Sequence, residues 1–574
     1  PSAVLTPAPH PDAARWLPGA LFNAAESALT GHDPDGTALI WAAEGSPADL
    51  KRMSLGELGR RCARAAESFR AAGLVPGDAC ALVLPMGPEA VIAYLGLILA
   101  GCAAVSVAES FSAAEIAARL RISKARAVVT QTALTRGGRS LPLYTRVCEA
   151  EAPRCIVLGD KAAANGDAAP LRPGDLSWEA FLELGSARAA AQAAQVRGLA
   201  TPADSTINVL FSSGTTGEPK AIPFTHTTTL RCGTDAHFCQ DVRAGDAVCW
   251  PTSMGWMMGP WLVFAALYNG AAVAMFEGAP TSREFGEFVQ AARVNVLGLV
   301  PSIVKAWRAS NCMHGLDWSA LRAFSSTGEA SAPQDCLWLS ARAGYKPVVE
   351  YCGGTEIGGG FLSCSPLQPQ APSTFTTPTM GMVPVLLPDA GEPSPHGDAA
   401  PMEGELTIVA PALGTAQRLL NRDHAEVYFE GMPSLVPGGP PLRRHGDRFE
   451  RLPGGAYRAR GRSDDTMNLG GIKTSSLELE NAILAGVSWV REAAAVAAPP
   501  PGGGPDRLEV FVVGDQKSEA PEDLRAACQQ AVSKHLNPLF KVHAVRVRES
   551  LPRNAANKLM RRLLRDEIQP RAKM

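Results

Sequence analysis

An excess of charge of either sign is missing from this chain: 54 lysines and arginines stand against 56 aspartates and glutamates, a net charge of -2. Without a basic surplus there is no electrostatic case for nucleic acid or an anionic membrane as a partner. Cysteines at metal-ligand spacing are missing too, since the 13 cysteines are scattered from Cys62 to Cys528 with no Cys-x-x-Cys. That argues against a zinc site or a disulfide framework and for a reducing compartment, with most thiols acting as small core side chains. No internal repeat is evident, and no basic stretch followed by an apolar core opens the chain, so a secretory signal is not expected. A long stretch without charge occurs between Glu89 and Glu109. It is near the minimum for a membrane span. However, Gly101 divides it into a helix-like part, Val91 to Ala100, and a strand-like part, Cys102 to Val107, which reads as a buried helix feeding a buried strand.

The 574 residues, 46% hydrophobic and 19% charged, exceed what one core holds and call for at least two domains in a globular enzyme-like chain. Helix-like and strand-like segments alternate from about Ser54 to Val304, as in Ser54 to Ala72 and Ala79 to Leu84, and this implies an α/β fold. The Ala-rich stretch Lys161 to Ala203 reads as a surface excursion. Pro384 to Gly404, Gly431 to Pro441 and Pro499 to Pro505 read as loops. A boundary falls at Arg460-Gly-Arg-Ser-Asp-Asp465, giving domains 1–463 and 464–574. The second opens with Met467 to Lys473 and continues with a helix-like Ser476 to Ala485 and a strand-like Leu508 to Val513.

The densest chemistry lies in Phe211-Ser-Ser-Gly-Thr-Thr-Gly-Glu-Pro-Lys220. Ser212, Ser213, Gly214, Thr215, Thr216 and Gly217 follow the apolar Ile207 to Phe211, and Lys220 precedes the strand-like Ala221 to Phe224. Glycines let a backbone approach a polyphosphate, amides and hydroxyls donate to its oxygens, and the lysine supplies charge. The spacing is not that of a Walker loop, which needs four residues between its glycines and Lys-Ser/Thr directly after the second. A plain Ser/Thr/Gly connector would explain the composition but not the Pro219-Lys220 step into a strand.

This loop resembles the signature of the acyl-adenylate-forming superfamily, which includes acyl-CoA synthetases, amino-acid adenylation domains and luciferases. Further stations follow in order. Ser326-Thr-Gly-Glu-Ala330 resembles the segment lining adenine and acyl group, which implies roles for Thr327, Gly328, Glu329 and Ala330. Glu350-Tyr-Cys-Gly-Gly-Thr-Glu356 resembles the core segment, with Glu350, Tyr351, Cys352, Gly353 and Thr355 at the nucleotide and Glu356 holding Mg2+. His445-Gly-Asp447 places Asp447 at the ribose, Arg462 corresponds to an arginine near ribose or phosphate, and Asp464 to the hinge. Pro552-Arg-Asn-Ala-Ala-Asn-Lys558 is similar to the C-terminal segment carrying the catalytic lysine, with Asn557 where Gly is usual. Cys352 stands where an aromatic residue usually stacks on adenine, so stacking is either weaker or taken over by Tyr351. The resemblance implies a large multilayer N-terminal domain, two sheets plus a distorted β-barrel, and a small mobile α+β C-terminal domain.

It also implies the reaction. A carboxylate attacks the α-phosphate of ATP, two anions meet, and positive charge must offset them. Lys558, Lys220 and Mg2+ on Glu356 would supply it, and CoA would then take the acyl group. Thr135-Arg-Gly-Gly-Arg-Ser140 looks like the CoA-gripping segment of acetyl-CoA-synthetase-like enzymes, with Arg136 and Arg139 on the 3'-phosphate end, Lys534 as a third cation and Gly471 beside pantetheine. The acyl pocket would be lined by Trp256, Met257, Met258, Thr327 and Gly353. Acetate-specific relatives carry tryptophan at the position of Gly353, so glycine there removes a floor and favours an acid longer than acetate. No acidic residue occurs between Thr252 and Gly259 to pair with a substrate ammonium. The expected reading is an AMP-forming acyl-CoA synthetase. The alternatives are a ligase loading a carrier protein, an acetyl-CoA synthetase and a catalytically silent nucleotide-binding homologue. Ala572-Lys573-Met574 resembles a degenerate Ser-Lys-Leu address, and Glu350 to Phe361 is similar to plant peroxisomal acyl-activating enzymes, which points to the peroxisome ahead of cytoplasm or plastid. The oligomeric state is not legible.

Overall fold

The computed structural model describes residues 3–159, 170–191, 196–212, 218–398, 400–462, 466–500, 504–514, 521–553 and 559–568. Two large sheets carry the N-terminal part. One has seven strands in the order Leu176–Ser177, Arg154–Leu158, Ala127–Gln131, Ala79–Val83, Ala103–Val107, Thr206–Ser212 and Lys220–Thr225. All its pairings are parallel except the last. The other has nine strands, among them the parallel neighbours Val296–Leu299, Ala323–Ser326 and Val348–Gly354, and after them the antiparallel Gly359–Ser363. The chain is α/β, as expected.

The uncharged stretch resolves as read: helix Pro88–Leu99 is buried along its length and leads through Gly101, at φ +80°, into the buried strand Ala103–Val107. Among the described residues no helix is long and apolar enough to cross a membrane. The helix starting at Leu55 is capped by Ser54, whose hydroxyl accepts from the amide of Glu57, the side-chain cap that satisfies a free N-terminal amide.

Where the barrel was expected lies a five-stranded antiparallel sheet that includes Pro384–Leu387, Met402–Ile408, Arg443–Arg451 and Tyr457–Arg462. This corrects the reading of Pro384 to Gly404 as a plain loop: its ends pair as strands, Pro384 with Ile408 and Leu387 with Glu405. A second correction concerns Lys161 to Ala203. Its helix Trp178–Ala191 buries Trp178 and Phe181 in the main core, Phe181 lying 4.7 Å from the ring of Phe69. Composition alone hides such anchors, because two aromatic residues suffice to dock an Ala-rich helix.

The C-terminal part has its own core around Leu479, Ile483, Val510 and Val532. It is built from a three-stranded sheet, Val490–Ala498, Arg507–Gly514 and Val542–Val547, with helices Ser476–Gly486 and Pro521–His535. The capping box of Ser475 and Glu478 starts the first helix.

Candidate active site

Strands from both large sheets end at one cavity of 2170 Å3, whose wall includes Ser212, Ser326 and Gly354. Carboxyl ends of parallel strands are where α/β folds place ligands. On the phosphate side, Ser212 faces Lys220 across the last antiparallel pairing, so the lysine stands at the base of the hydroxyl-rich turn. Ser213, Gly214, Thr215, Thr216 and Gly217 lie outside the described residues. The turn's exit is clamped by residues that the sequence reading passed over. Asn421 accepts from the amide of Ala221 and donates to the carbonyl of Pro219, both at 2.9 Å, and Arg422 donates to the carbonyl of Glu218 at 2.6 Å. The Lys220 ammonium is 5.3 Å from the ring centroid of Tyr428. Only the Asp423 cap of the short helix His424–Tyr428 could have marked this segment in the sequence.

The adenine side corrects one expectation. Tyr351 is 1% exposed. Its hydroxyl donates to Asp235 at 2.6 Å and accepts from the indole of Trp261 at 3.1 Å. Tyr351 and Cys352 both border the cavity, but these two bonds hold the buried Tyr351 ring in the core, and along the strand the Cys352 side chain points to the opposite face. Thr327 donates to the carbonyl of Tyr351 at 2.5 Å and fixes the two motifs against each other. Thr327, Gly328, Glu329, Ala330, Glu350, Cys352, Gly353 and Thr355 all belong to the cavity wall. Gly328, at φ +93°, needs glycine geometry. Glu350 is buried without a cationic neighbour, and burial pushes its carboxyl up to about 7 against the hydroxyls of Ser331 and Ser326 and the thiol of Cys336. Burial likewise raises Glu329, whose carboxylate accepts from the amide of Ser302 at 2.9 Å.

Glu356 is buried and joined to Asp447 by a side chain not singled out from sequence. The imidazole of His445 is fully enclosed, with Nδ1 3.5 Å from Glu356 Oε1 and Nε2 3.1 Å from Asp447 Oδ2. The ring of Phe361, at 4.4 Å, holds it edge-on. Arg462 pairs through its backbone with Asp447; its side chain, like Asp464 and Lys558, lies outside the described residues. Among the described residues no three His, Cys, Asp or Glu side chains form a metal cage. A lone buried carboxylate suits Mg2+, which is commonly held by one or two carboxylates plus substrate phosphates.

On the thiol side, Arg136 donates to the buried Glu109 at 3.2 Å, leaving other N–H donors of its fork for an anion. Gly137 and Gly138 donate to the carboxylate of Glu44, both at 3.0 Å. Arg139 pairs with Arg136 through the backbone, and its side chain is outside the described set. Asn537 reaches Ser110 at 3.5 Å, and the exposed Lys534, the penultimate residue of helix Pro521–His535, lies three residues before this contact in the chain. Gly470 and Gly471, at φ +64° and +80°, turn against the N-terminal part: a Cβ at Gly471 would meet Val300 at 3.0 Å.

Met257 and Met258 are half-buried on the cavity wall. Trp256 touches that wall, but it packs edge-on to Phe111 at 5.3 Å and against the C-terminal core, which makes it a wedge between the two parts as well as a lining residue. At Gly353 the expectation needs correction. A Cβ there would sit 1.9 Å from the carbonyl oxygen of Gly359, because the pairing with Gly359–Ser363 shifts register between Cys352 and Gly353. The position has no room for any side chain in this backbone, so it is a close approach of two strands and not an open seat awaiting tryptophan.

The family described as AMP-binding enzyme matches residues 26–416. The chain is 45% identical to a hexanoyl-CoA synthase of Cannabis sativa over 97% of its own length and 77% of that protein's. It is 47% identical to the probable peroxisomal acyl-activating enzyme 17 of Arabidopsis thaliana, over 96% of this chain and 77% of the relative. Among solved structures, the acetoacetyl-CoA synthetase from Streptomyces lividans superposes with a TM-score of 0.72 at 25% identity, covering 98% of this chain and 85% of that one.

Proposed function

We propose that this chain, which belongs to the AMP-binding enzyme family and is an ATP-dependent acyl-CoA synthetase, acts on a carboxylic acid longer than acetate, with a six-carbon acid as the first candidate. The observation that carries this is the large cavity, whose wall includes Met257 and Met258 together with Cys352 and Thr327. Flexible thioethers adapt to an alkyl tail. The relatedness to a hexanoyl-CoA synthase supports the same chain length.

The residues divide the work. Ser212 to Gly217 and Lys220 hold the triphosphate, and Glu350, Cys352 and Glu329 border the adenine. Asp447 accepts from the ribose hydroxyls, with Arg462 beside it. Glu356 would hold Mg2+, which when bound adds positive charge on the phosphates. Lys558 orients the acid carboxylate and α-phosphate for displacement of pyrophosphate. Arg136, Arg139 and Lys534 receive the nucleotide end of CoA, and Gly471 borders the thiol's path. A swivel about Asp464 exchanges Lys558 for the Gly470-Gly471 turn between the two half reactions. The contact of that turn with Val300 and Gly328 is the arrangement that suits the thiol step. Two relatives are named peroxisomal, which supports the peroxisome as the compartment; Ala572-Lys573-Met574 lies outside the described residues.

Exchange of labelled pyrophosphate into ATP, screened over straight-chain acids from two to eighteen carbons, tests the reading. The expected optimum lies above two carbons. An optimum at acetate would overturn the chain-length claim, and exchange with no acid would favour a silent homologue.

A further inference from the structure

Strand Arg443–Arg451 carries two arginines buried to the same degree, Arg443 at 2% and Arg451 at 1% exposure. Arg451 is satisfied in the ordinary way: it donates to the carbonyls of Ala400 at 2.9 Å and Pro395 at 3.1 Å and to the hydroxyl of Ser394 at 2.7 Å. Arg443 is not. None of its three guanidinium nitrogens has a hydrogen-bond partner among the described residues. It lies on the ring of Tyr428, Cζ 4.0 Å from the centroid. The same ring takes the Lys220 ammonium at 5.3 Å. Asp12, the carboxylate in this corner, engages His424 at 2.8 Å instead. His424 offers Arg443 no negative charge; burial lowers its pKa, with Asp12 opposing the shift and the guanidinium adding to it.

A buried cation without a counter-charge is costly, and proteins keep buried charges paired. The Arg443 guanidinium, unpartnered on the ring that Lys220 also neighbours at the base of the hydroxyl-rich turn, calls for an anion. We propose that Arg443 is a second cation of the phosphate grip, raising affinity for the polyphosphate end of ATP and for the departing pyrophosphate. It acts through its field from behind Tyr428, where the low dielectric leaves its charge poorly screened. Tyr428 fixes the spacing of the two cations. The proposal rests on the reading of that turn as the polyphosphate site.

Calorimetric titration of the full chain with pyrophosphate and, separately, with AMP tests it without turnover. Arg443→Met is expected to weaken pyrophosphate binding about tenfold or more while changing AMP affinity less than about twofold. Arg443→Lys, which keeps the charge, is expected to recover most of the loss. Equal weakening of both ligands, or pyrophosphate affinity untouched by removal of the charge, overturns the proposal. If Arg443→Met does not fold, Arg443→Lys decides: pyrophosphate affinity within about threefold of the parent supports a charge role, and a loss shared equally with AMP contradicts it. A parent protein that binds AMP but not pyrophosphate overturns this proposal alone, and one that binds neither overturns the nucleotide reading beneath it.

Discussion

His445 shows how much of the site depends on a side chain that no nucleotide atom needs to touch. Its two nitrogens face carboxylates on different segments, 3.5 Å from Glu356 and 3.1 Å from Asp447, so removing the ring takes a shared neighbour from both. His445→Ala is expected to raise the KM for ATP about tenfold, the size typical of a lost supporting partner, and to erase discrimination between AMP and 3'-deoxy-AMP. Loss of affinity with discrimination intact would mean that Asp447 holds its place alone. Glu350 gives a test by pH. Its folded pKa, about 7, lies above the ordinary 4.5 because burial disfavours the charge. The folded state therefore binds the proton more tightly than the unfolded chain, and stability falls as pH rises from about 4.5 through about 7. Glu350→Gln should remove that slope, leaving melting unchanged at pH 5 and raised at pH 8. An unaltered slope would place the titration elsewhere. Glu356, Asp447 and Glu350 stand out in the sequence as candidates because each sits in or beside a recognisable run. His445, Asn421 and Tyr428 act through contacts between segments distant in the chain, which no local pattern encodes.

The strand Val348–Gly354 carries the segment read as bordering adenine, a reading that rested on its motif; the strand itself and its register were not read from the sequence. Which of Tyr351 and Cys352 faces the ligand is set by the buried pair of Asp235 and Trp261, and the shift of register at Cys352/Gly353 by its antiparallel partner. Tyr351→Phe removes the hydroxyl that bonds both groups and leaves Asp235 short of a donor, a change expected to cost about 1–3 kcal/mol in denaturant unfolding. A cost within 0.5 kcal/mol of zero, the range of neutral surface changes, would mean that Asp235 is satisfied by Gly360 and Arg231 without it. Gly353→Trp is expected to disrupt the pairing with Gly359 and depress activity on every acid. A simple shortening of the preferred chain would show that the strand can yield. The helix Trp178–Ala191 teaches the converse lesson: its Ala-rich composition suggested surface, and Trp178 and Phe181 make it core.

Several specific contacts join the two parts of the molecule among the described residues. The Gly470-Gly471 turn rests on Val300 and Gly328, Trp256 wedges against the C-terminal core, and Asn537 reaches Ser110. Gly471→Ala puts a methyl 3.0 Å from Val300 at a positive φ. It should slow thioester formation from supplied acyl-adenylate while sparing pyrophosphate exchange; equal slowing of both would contradict a role confined to the thiol step. The α/β layering and the order of the motifs were legible in the sequence because each is local. The seating of the parts was not, since it depends on surfaces that meet only after folding. The account as a whole stands on ATP-driven transfer of an acyl group longer than acetyl to free CoA. Its most direct test is kcat/KM for CoA thioester formation by the full chain with acetate and with hexanoate. Hexanoate is expected to exceed acetate by about two-hundredfold, four methylenes each contributing roughly 0.8 kcal/mol in an apolar pocket. Equal values, or a preference for acetate, would contradict it.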